Sequence, residues 1–114
     1  MNVKTRFVDN VKILDLAGSL DWSSAPCVRQ AVIDVTEEQP AHVVVNLKGV
    51  DILDSSGLAA LVLGLKRARE NQGNLCLCGL QSPVRMIFEL TRFDKVFEIF
   101  VSEEDAVLAA ARRD

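Results

Sequence analysis

Residues 42–61 decide the fold of this chain, and they read HVVVNLKGVDILDSSGLAAL. The run Val43–Val45 is β-branched throughout, which predicts a strand that is covered on both faces of a sheet. A short acidic segment follows it, and two hydroxyls, Ser55 and Ser56, then stand at the first turn of a helix. That helix is predicted to run from about Ser56 to Glu70. The stretch therefore predicts a strand–loop–helix unit of an α/β domain.

The hydroxyls at this helix start have two interpretations. Backbone N–H groups of a first helical turn lack a partner within the helix, and the helix dipole favours negative charge there. A serine hydroxyl at that place is therefore a suitable position for a phosphate group. The sequence Asp54-Ser55-Ser56 is also ordinary N-cap chemistry, in which a side-chain oxygen only accepts a backbone N–H. Asp51 and Asp54 make the position electrostatically ambivalent, and the residues alone leave both interpretations open.

Composition places the chain among single-domain globular proteins. It has 114 residues, of which 49% are hydrophobic and 25% are charged, a balance that supports a substantial core. Aromatic residues are scarce, with five Phe, one Trp and no Tyr, so aliphatic side chains must fill the interior. The net charge of −3 disfavours a nucleic-acid partner, since such binding depends on Lys and Arg that neutralise phosphates.

Neither a membrane segment nor a cofactor site is predicted. The first residues lack the apolar run of a signal peptide, and the longest apolar stretch, residues 58–65, is far shorter than the roughly 20 residues that span a bilayer. We therefore expect a cytoplasmic protein. Cys27, Cys76 and Cys78 are expected to be reduced and structural, because a zinc site needs four ligands and His42 is the only histidine. No metal and no other cofactor is expected.

Strands and helices alternate in the order β-β-α-β-α-β-α-β-α. The predicted strands cover residues 3–8, 11–16, 43–45, 74–78 and 96–101, and Asp9-Asn10 joins the first two as a hairpin turn. The predicted helices begin at Ser23 or Ser24, at about Ser56, at Pro83 after an N-cap at Ser82, and near Ser102 in a capping box with Asp105. Because a helix separates each later pair of strands, we expect a mostly parallel sheet, in which the hairpin makes the first strand antiparallel.

Polar side chains follow two of the predicted strands, at the carboxyl ends where sites collect in such sheets. The segments are residues 18–21, Gly-Ser-Leu-Asp, and residues 51–56. We expect them to be neighbours and to bring Asp21, Asp54 and Ser55 together. An enzyme that uses this serine is disfavoured, because neither segment holds a histidine base and His42 begins a strand at the opposite end. Trp22 either belongs to a binding surface or covers the end of the core.

At this point the chain resembles a known family. Residues 44–47 followed by Asp54-Ser55-Ser56-Gly57-Leu58 resemble the signature of the STAS domain, and specifically that of bacterial anti-sigma factor antagonists of the sporulation and general-stress type. Residues 18–21 resemble the family's Gly-X-Leu-Asp motif after the second strand. Gly73 and the triplet Ser82-Pro83-Val84 also fit the pattern, so the resemblance covers nearly the whole chain.

The resemblance implies a non-catalytic switch protein. Unphosphorylated antagonists bind a serine kinase that is also an anti-sigma factor and has a histidine-kinase-like ATP-binding fold, and this binding frees the sigma factor. The kinase phosphorylates the serine directly after the motif's Asp, which is Ser55 here, and a PP2C-type phosphatase removes the phosphate. The family's functional aspartates fall on Asp21 and Asp54. The resemblance implies that the Ser56 hydroxyl, at the neighbouring position, is structural. Gly57 is the next residue of the motif and is expected to support the phosphosite.

The resemblance leaves one alternative open. Many STAS domains are never phosphorylated and act as interaction modules, for example as cytoplasmic accessory subunits of lipid-transport complexes or as tails of anion transporters. An intact Asp54-Ser55 pair favours the phosphorylated switch, because a plain scaffold has no need of a hydroxyl there.

Overall fold

The computed structural model describes residues 1–111 and contains the predicted order of elements, with one additional 3₁₀ helix. The strands are β1 (Asn2–Val8), β2 (Val11–Leu20), β3 (His42–Leu53), β4 (Asn74–Cys78) and β5 (Glu98–Phe100). The helices are α1 (Ala25–Val35), α2 (Ser55–Glu70), α3 (Ser82–Thr91) and α4 (Glu103–Ala111), and the 3₁₀ helix covers Phe93–Lys95.

The strands form one mixed sheet in the order β1-β2-β3-β4-β5. β1 pairs with β2 as an antiparallel hairpin, and every later pair of neighbours is parallel. At the hairpin turn Asp9 has φ 55°, the left-handed conformation that Asp and Asn tolerate. The predicted α/β architecture, with its antiparallel first strand, is therefore confirmed.

Helices cover the sheet unequally. α1, α2 and α3 pack on one face over the larger apolar core, to which β3 contributes Val43 and Val45. α4 lies on the other face over a smaller cluster that contains Val44 and Cys78. The β-branched run of β3 is thus buried on both faces, as predicted. Burial also raises the pKa of the Cys78 thiol to about 12, so this thiol stays protonated.

An ion-pair network attaches the start of α4 to the sheet. The Arg6 guanidinium on β1 donates hydrogen bonds to Asp15 at 2.5 and 2.9 Å and to Glu103 at 2.5 and 3.3 Å. Asn46 on β3 donates to the same Glu103 carboxylate at 3.0 Å. These bonds from Arg6 lower the pKa of both Asp15 and Glu103. The first turn of α4 is therefore joined to three strands, because Asp15 belongs to β2.

The fifth strand is shorter than the predicted 96–101. α3 ends at Arg92, whose φ of 65° turns the chain out of the helix, and a 3₁₀ turn follows. The amides of Val96 and Phe97 both donate to the Phe93 carbonyl, so they belong to this turn and cannot pair with β4. Val101 is exposed after the strand. Apolar character alone mispredicted these ends, since the turn determines which residues reach the sheet.

Three predicted helix starts shift by one residue or two. α1 begins at Ala25, with Ser24 as its N-cap residue, and not at Ser23 or Ser24. α2 begins at Ser55 because the Asp54 carbonyl and carboxylate accept the Leu58 and Gly57 amides. α3 begins at Ser82 itself, since the Gln81 carbonyl already accepts the Arg85 amide at 2.9 Å, so Ser82 is not the N-cap. At α4 the Ser102 hydroxyl accepts the Asp105 amide at 3.2 Å, which is the main-chain half of the predicted capping box.

Candidate functional site

The two segments that were predicted as loops are largely the ends of strands. β2 extends to Leu20 and β3 to Leu53, and these two residues are partners in the parallel register. β4 pairs with β3 only as far as Asn46, so the β2–β3 pair continues past it. Register shifts in β2, where Gly18 has φ 115°, let this extension bend while it still buries Leu20 and Leu53. The polar residues of segments 18–21 and 51–56 are typical of loops, so the sequence did not predict that the strands extend this far.

Asp54 joins the two segments. One carboxylate oxygen accepts the Gly57 amide at 2.9 Å and so caps α2, as an N-cap aspartate does. The other oxygen accepts the Trp22 amide at 2.9 Å, and the Asp54 amide donates to the Leu20 carbonyl at 3.1 Å. The segments after β2 and β3 are therefore held side by side, as expected.

Asp21 organises its own turn. Its carboxylate accepts the Ser23 hydroxyl at 2.6 Å, the Ser23 amide at 3.0 Å and the Ser24 amide at 3.3 Å. The hydrogen bond from the Ser23 hydroxyl, assisted by the two amides, lowers the pKa of Asp21. The buried Ser24 hydroxyl donates in turn to the Ser19 carbonyl at 2.7 Å. Asp21 thus shapes the chain between β2 and α1.

Ser55 is the first residue of α2 and is exposed, whereas Ser56 is half-buried. No hydrogen bond joins the Ser55 hydroxyl to another residue of the described chain. The carboxylates of Asp21 and Asp54 are already occupied by partners other than this hydroxyl. The site therefore presents a solvent-accessible hydroxyl beside a carboxylate that two main-chain amides hold in place.

Gly57 is required by the close packing of α2 against β2. A Cβ atom at this position would lie 2.4 Å from the Leu20 carbonyl oxygen and 2.7 Å from the Leu20 Cγ. Only glycine permits this approach without a shift of the backbone. The glycine therefore sets the distance between the start of α2 and the end of β2, and with it the place of Ser55.

Trp22 does not cover the end of the core, because it is 75% exposed. Its indole makes no hydrogen bond or ring contact with any residue between 1 and 111. Ile52, which no motif of the sequence includes, is also exposed near the end of β3. The alternation of polar and apolar residues could not show which face of the sheet Ile52 occupies, because the register of β3 is not known from the sequence.

The surroundings of Ser55 are acidic. Asp21, Asp51 and Asp54 lie in residues 17–28 and 49–65, and these two segments contain no Lys or Arg. The charged side chains of these two segments are therefore all acidic, and the N-terminal ammonium is a positive group that acts on Asp21.

A cavity of about 620 Å³ lies elsewhere, on the sheet face that α4 occupies. It is bordered by the Arg6–Asp15–Glu103 network, by Lys4 and by Lys48, and it does not include Ser55. Within residues 1–111, no helix combines the length and the apolarity that a membrane crossing requires.

Comparisons with known proteins show the family of this chain. The family model described as the STAS domain matches residues 2–106. Among curated relatives, the anti-sigma-B factor antagonist of Bacillus subtilis is 29% identical over 107 residues, which cover 94% of this chain and 97% of that protein.

Solved structures share the fold. An anti-sigma factor antagonist from Mycobacterium paratuberculosis superposes with a TM-score of 0.86 at 24% identity, over 96% of this chain and 93% of that one. The anti-sigma factor antagonist SpoIIAA matches 93% of this chain at 18% identity in two forms. The TM-score is 0.77 for its unphosphorylated form and 0.69 for its phosphorylated form, with 93% and 96% of those chains covered. The chain therefore belongs to the STAS domain family, with curated relatives that are anti-sigma factor antagonists.

Proposed function

We propose that this protein is an anti-sigma factor antagonist that phosphorylation of Ser55 switches off. The unphosphorylated form binds an anti-sigma factor that is a serine kinase with a histidine-kinase-like ATP-binding fold, and this binding releases the sigma factor. The kinase phosphorylates Ser55, and a PP2C-type phosphatase restores the binding-competent form. The protein itself catalyses no reaction.

The observation that carries the proposal is the state of the Ser55 hydroxyl. It is exposed, it makes no hydrogen bond within the described chain, and it stands at the first position of α2. A kinase can reach such a hydroxyl without unfolding any element. The relatives are named anti-sigma factor antagonists and SpoIIAA has a phosphorylated form, which supports a switch of this kind in the family.

The neighbouring residues support the phosphosite by fixing its backbone. Asp54 holds the start of α2 against the Trp22 amide, and Gly57 allows the close approach of α2 to β2. Asp21 orders the facing turn and contributes negative charge to the docking surface. Ser56 is half-buried, which leaves Ser55 as the more accessible of the two hydroxyls.

Phosphorylation changes the charge of this surface more than its shape. A phosphate adds about −1.5 to −2 charges at pH 7 and three acceptor oxygens. Asp54 cannot turn away from it without breaking its bonds to the Trp22 and Gly57 amides. A partner surface that fits a neutral hydroxyl would therefore meet a bulky anion next to a fixed carboxylate.

The test is phosphorylation by the anti-sigma factor kinases of the source organism, each purified and incubated with this protein and ATP. We expect one kinase to modify the wild-type chain and Ser56→Ala at similar rates, and to leave Ser55→Ala unmodified. Phosphopeptide mass spectrometry assigns the site.

Modification of Ser56 alone would refute the assignment of Ser55. Stable binding of an anti-sigma factor without modification of either serine would show that the chain acts as an unphosphorylated interaction subunit, and the switch would then be wrong.

A further inference from the structure

Trp22 has a large apolar side chain that is exposed on an ordered backbone. It is the only tryptophan of the chain and is 75% exposed. Its amide donates to Asp54 at 2.9 Å, and the preceding residue, Asp21, is held by three hydrogen bonds within the turn. The backbone under the indole is therefore already ordered. Binding a partner would immobilise only two side-chain torsions, so the entropy cost of using this residue as a contact is low.

The surroundings of the indole define the chemistry of what fits it. Ile52 is 52% exposed near the end of the neighbouring strand. We call these two residues, with the carboxylates of Asp21, Asp51 and Asp54 at the same end of β2 and β3, the Trp22 patch. An apolar centre with an acidic border is complementary to an apolar pocket bordered by Lys and Arg. Because Asp54 belongs both to this patch and to the N-cap beside Ser55, the patch is continuous with the proposed switch.

We propose that Trp22 anchors the complex with the anti-sigma factor by inserting its indole into an apolar pocket with a basic border. The inference rests on the proposed function and adds to it the residue that supplies most of the apolar contact. Tryptophan is enriched among the few residues that dominate interface energetics. On this account Ser55 acts as the switch, and Trp22 provides affinity that the switch then overrides.

The experiment uses the single tryptophan as its probe. The full chain is labelled with 5-fluorotryptophan, and its one ¹⁹F resonance is followed while each purified anti-sigma factor is added. We expect the resonance to shift and broaden on binding, since the indole moves from water into a pocket. In calorimetric titrations Trp22→Ala should weaken binding about 30-fold or more, and Trp22→Phe should restore part of the loss.

Phe7 supplies a matched control. It is 69% exposed, but its register partner is Lys12, at the end of the sheet opposite Ser55. Phe7→Ala should change the affinity less than twofold. If an anti-sigma factor binds the wild-type chain while the ¹⁹F resonance is unchanged and Trp22→Ala binds normally, the anchor is wrong and the proposed function stands. If no anti-sigma factor binds the wild-type chain, both the proposed function and the role of Trp22 are refuted.

Discussion

Asp54 combines two structural tasks in one carboxylate. One oxygen caps α2 through the Gly57 amide, and the other fixes the Trp22 amide across the gap between the strand ends. An aspartate before a helix serine indicates an N-cap from sequence alone. The second bond depends on the lengths of β2 and β3, which no local pattern specifies.

Asp54→Ala should therefore lower the stability of the whole domain as well as the phosphorylation of Ser55. Loss of an N-cap costs about 0.5–2 kcal/mol, and the Trp22 amide also loses its acceptor. Asp54→Asn keeps an oxygen acceptor and should lose less. Urea denaturation monitored by circular dichroism measures the free energy of unfolding of each variant.

Asp51→Ala is the matched control, because Asp51 is exposed and caps no helix. Its unfolding free energy should stay within about 0.5 kcal/mol of the wild type, as for most surface substitutions. Equal stabilities of Asp54→Ala and Asp51→Ala would contradict the structural role of Asp54.

At the scale of elements, sequence reasoning located each strand and helix because buried faces repeat with a regular period. Val43–Val45 and the apolar positions of α1 and α2 carry that signal. Element ends depended on tertiary partners instead. Residues 18–20 and 51–53 contain Gly, Ser and Asp and so predicted loops, yet pairing between β2 and β3 keeps them extended. Likewise, the sequence allowed Trp22 either on a binding surface or over the end of the core, and only the folded chain shows that it is exposed.

The attachment of α4 is a second property that only the assembled elements reveal. Arg6 and Glu103 are 97 positions apart in the chain, and they meet because the Arg6 side chain lies on the face of the sheet that α4 covers. α4 buries only three of its residues, Ala106, Val107 and Ala110. The polar network is therefore a substantial part of what holds its first turn.

Arg6→Met should consequently loosen α4 while the rest of the fold persists. Each ion pair between partly exposed groups contributes about 0.2–1 kcal/mol, so loss of both should cost about 0.5–2 kcal/mol. We expect faster hydrogen exchange of α4 amides and little change in α2. Lys12→Met, which removes the separate Lys12–Glu38 pair, should leave exchange in α4 unchanged. Identical exchange of α4 in both variants would show that the network does not hold the helix.

The same network predicts a pH dependence. Arg6 lowers the folded-state pKa of Asp15 and Glu103, so their contribution to stability is complete above the unfolded-state values, near pH 4. It is lost as the pH falls through the lower folded-state values. Protection of α4 should therefore fall on acidification below about pH 4 in the wild type, and less steeply in Arg6→Met.

At the scale of the molecule, the domain separates its switch from its supports. Ser55 lies beyond the carboxyl end of β3, where α2 begins, whereas the α4 network lies on the opposite face of the sheet from α2. A charge added at Ser55 is next in sequence to Asp54, whose carboxylate two main-chain amides hold in place. The sequence indicated that Asp54 lies at this end of the sheet, but it could not predict the hydrogen bond from the Trp22 amide that holds Asp54 there.

Substitutions at Ser55 test the switch as a whole. Ser55→Ala removes only a hydroxyl, so it should bind the anti-sigma factor like the wild type and resist inactivation by the kinase. Ser55→Asp puts a charged carboxylate where the partner surface fits a neutral hydroxyl, so it should weaken binding by about 1–3 kcal/mol, or roughly 5–150-fold. Raising the salt concentration should restore only part of the lost affinity, because salt screens the added charge over about 10 Å at 0.1 M but does not remove the added bulk. Calorimetric titration of both variants and of the enzymatically phosphorylated protein measures this difference, and equal affinities of all three forms would refute a charge-based switch.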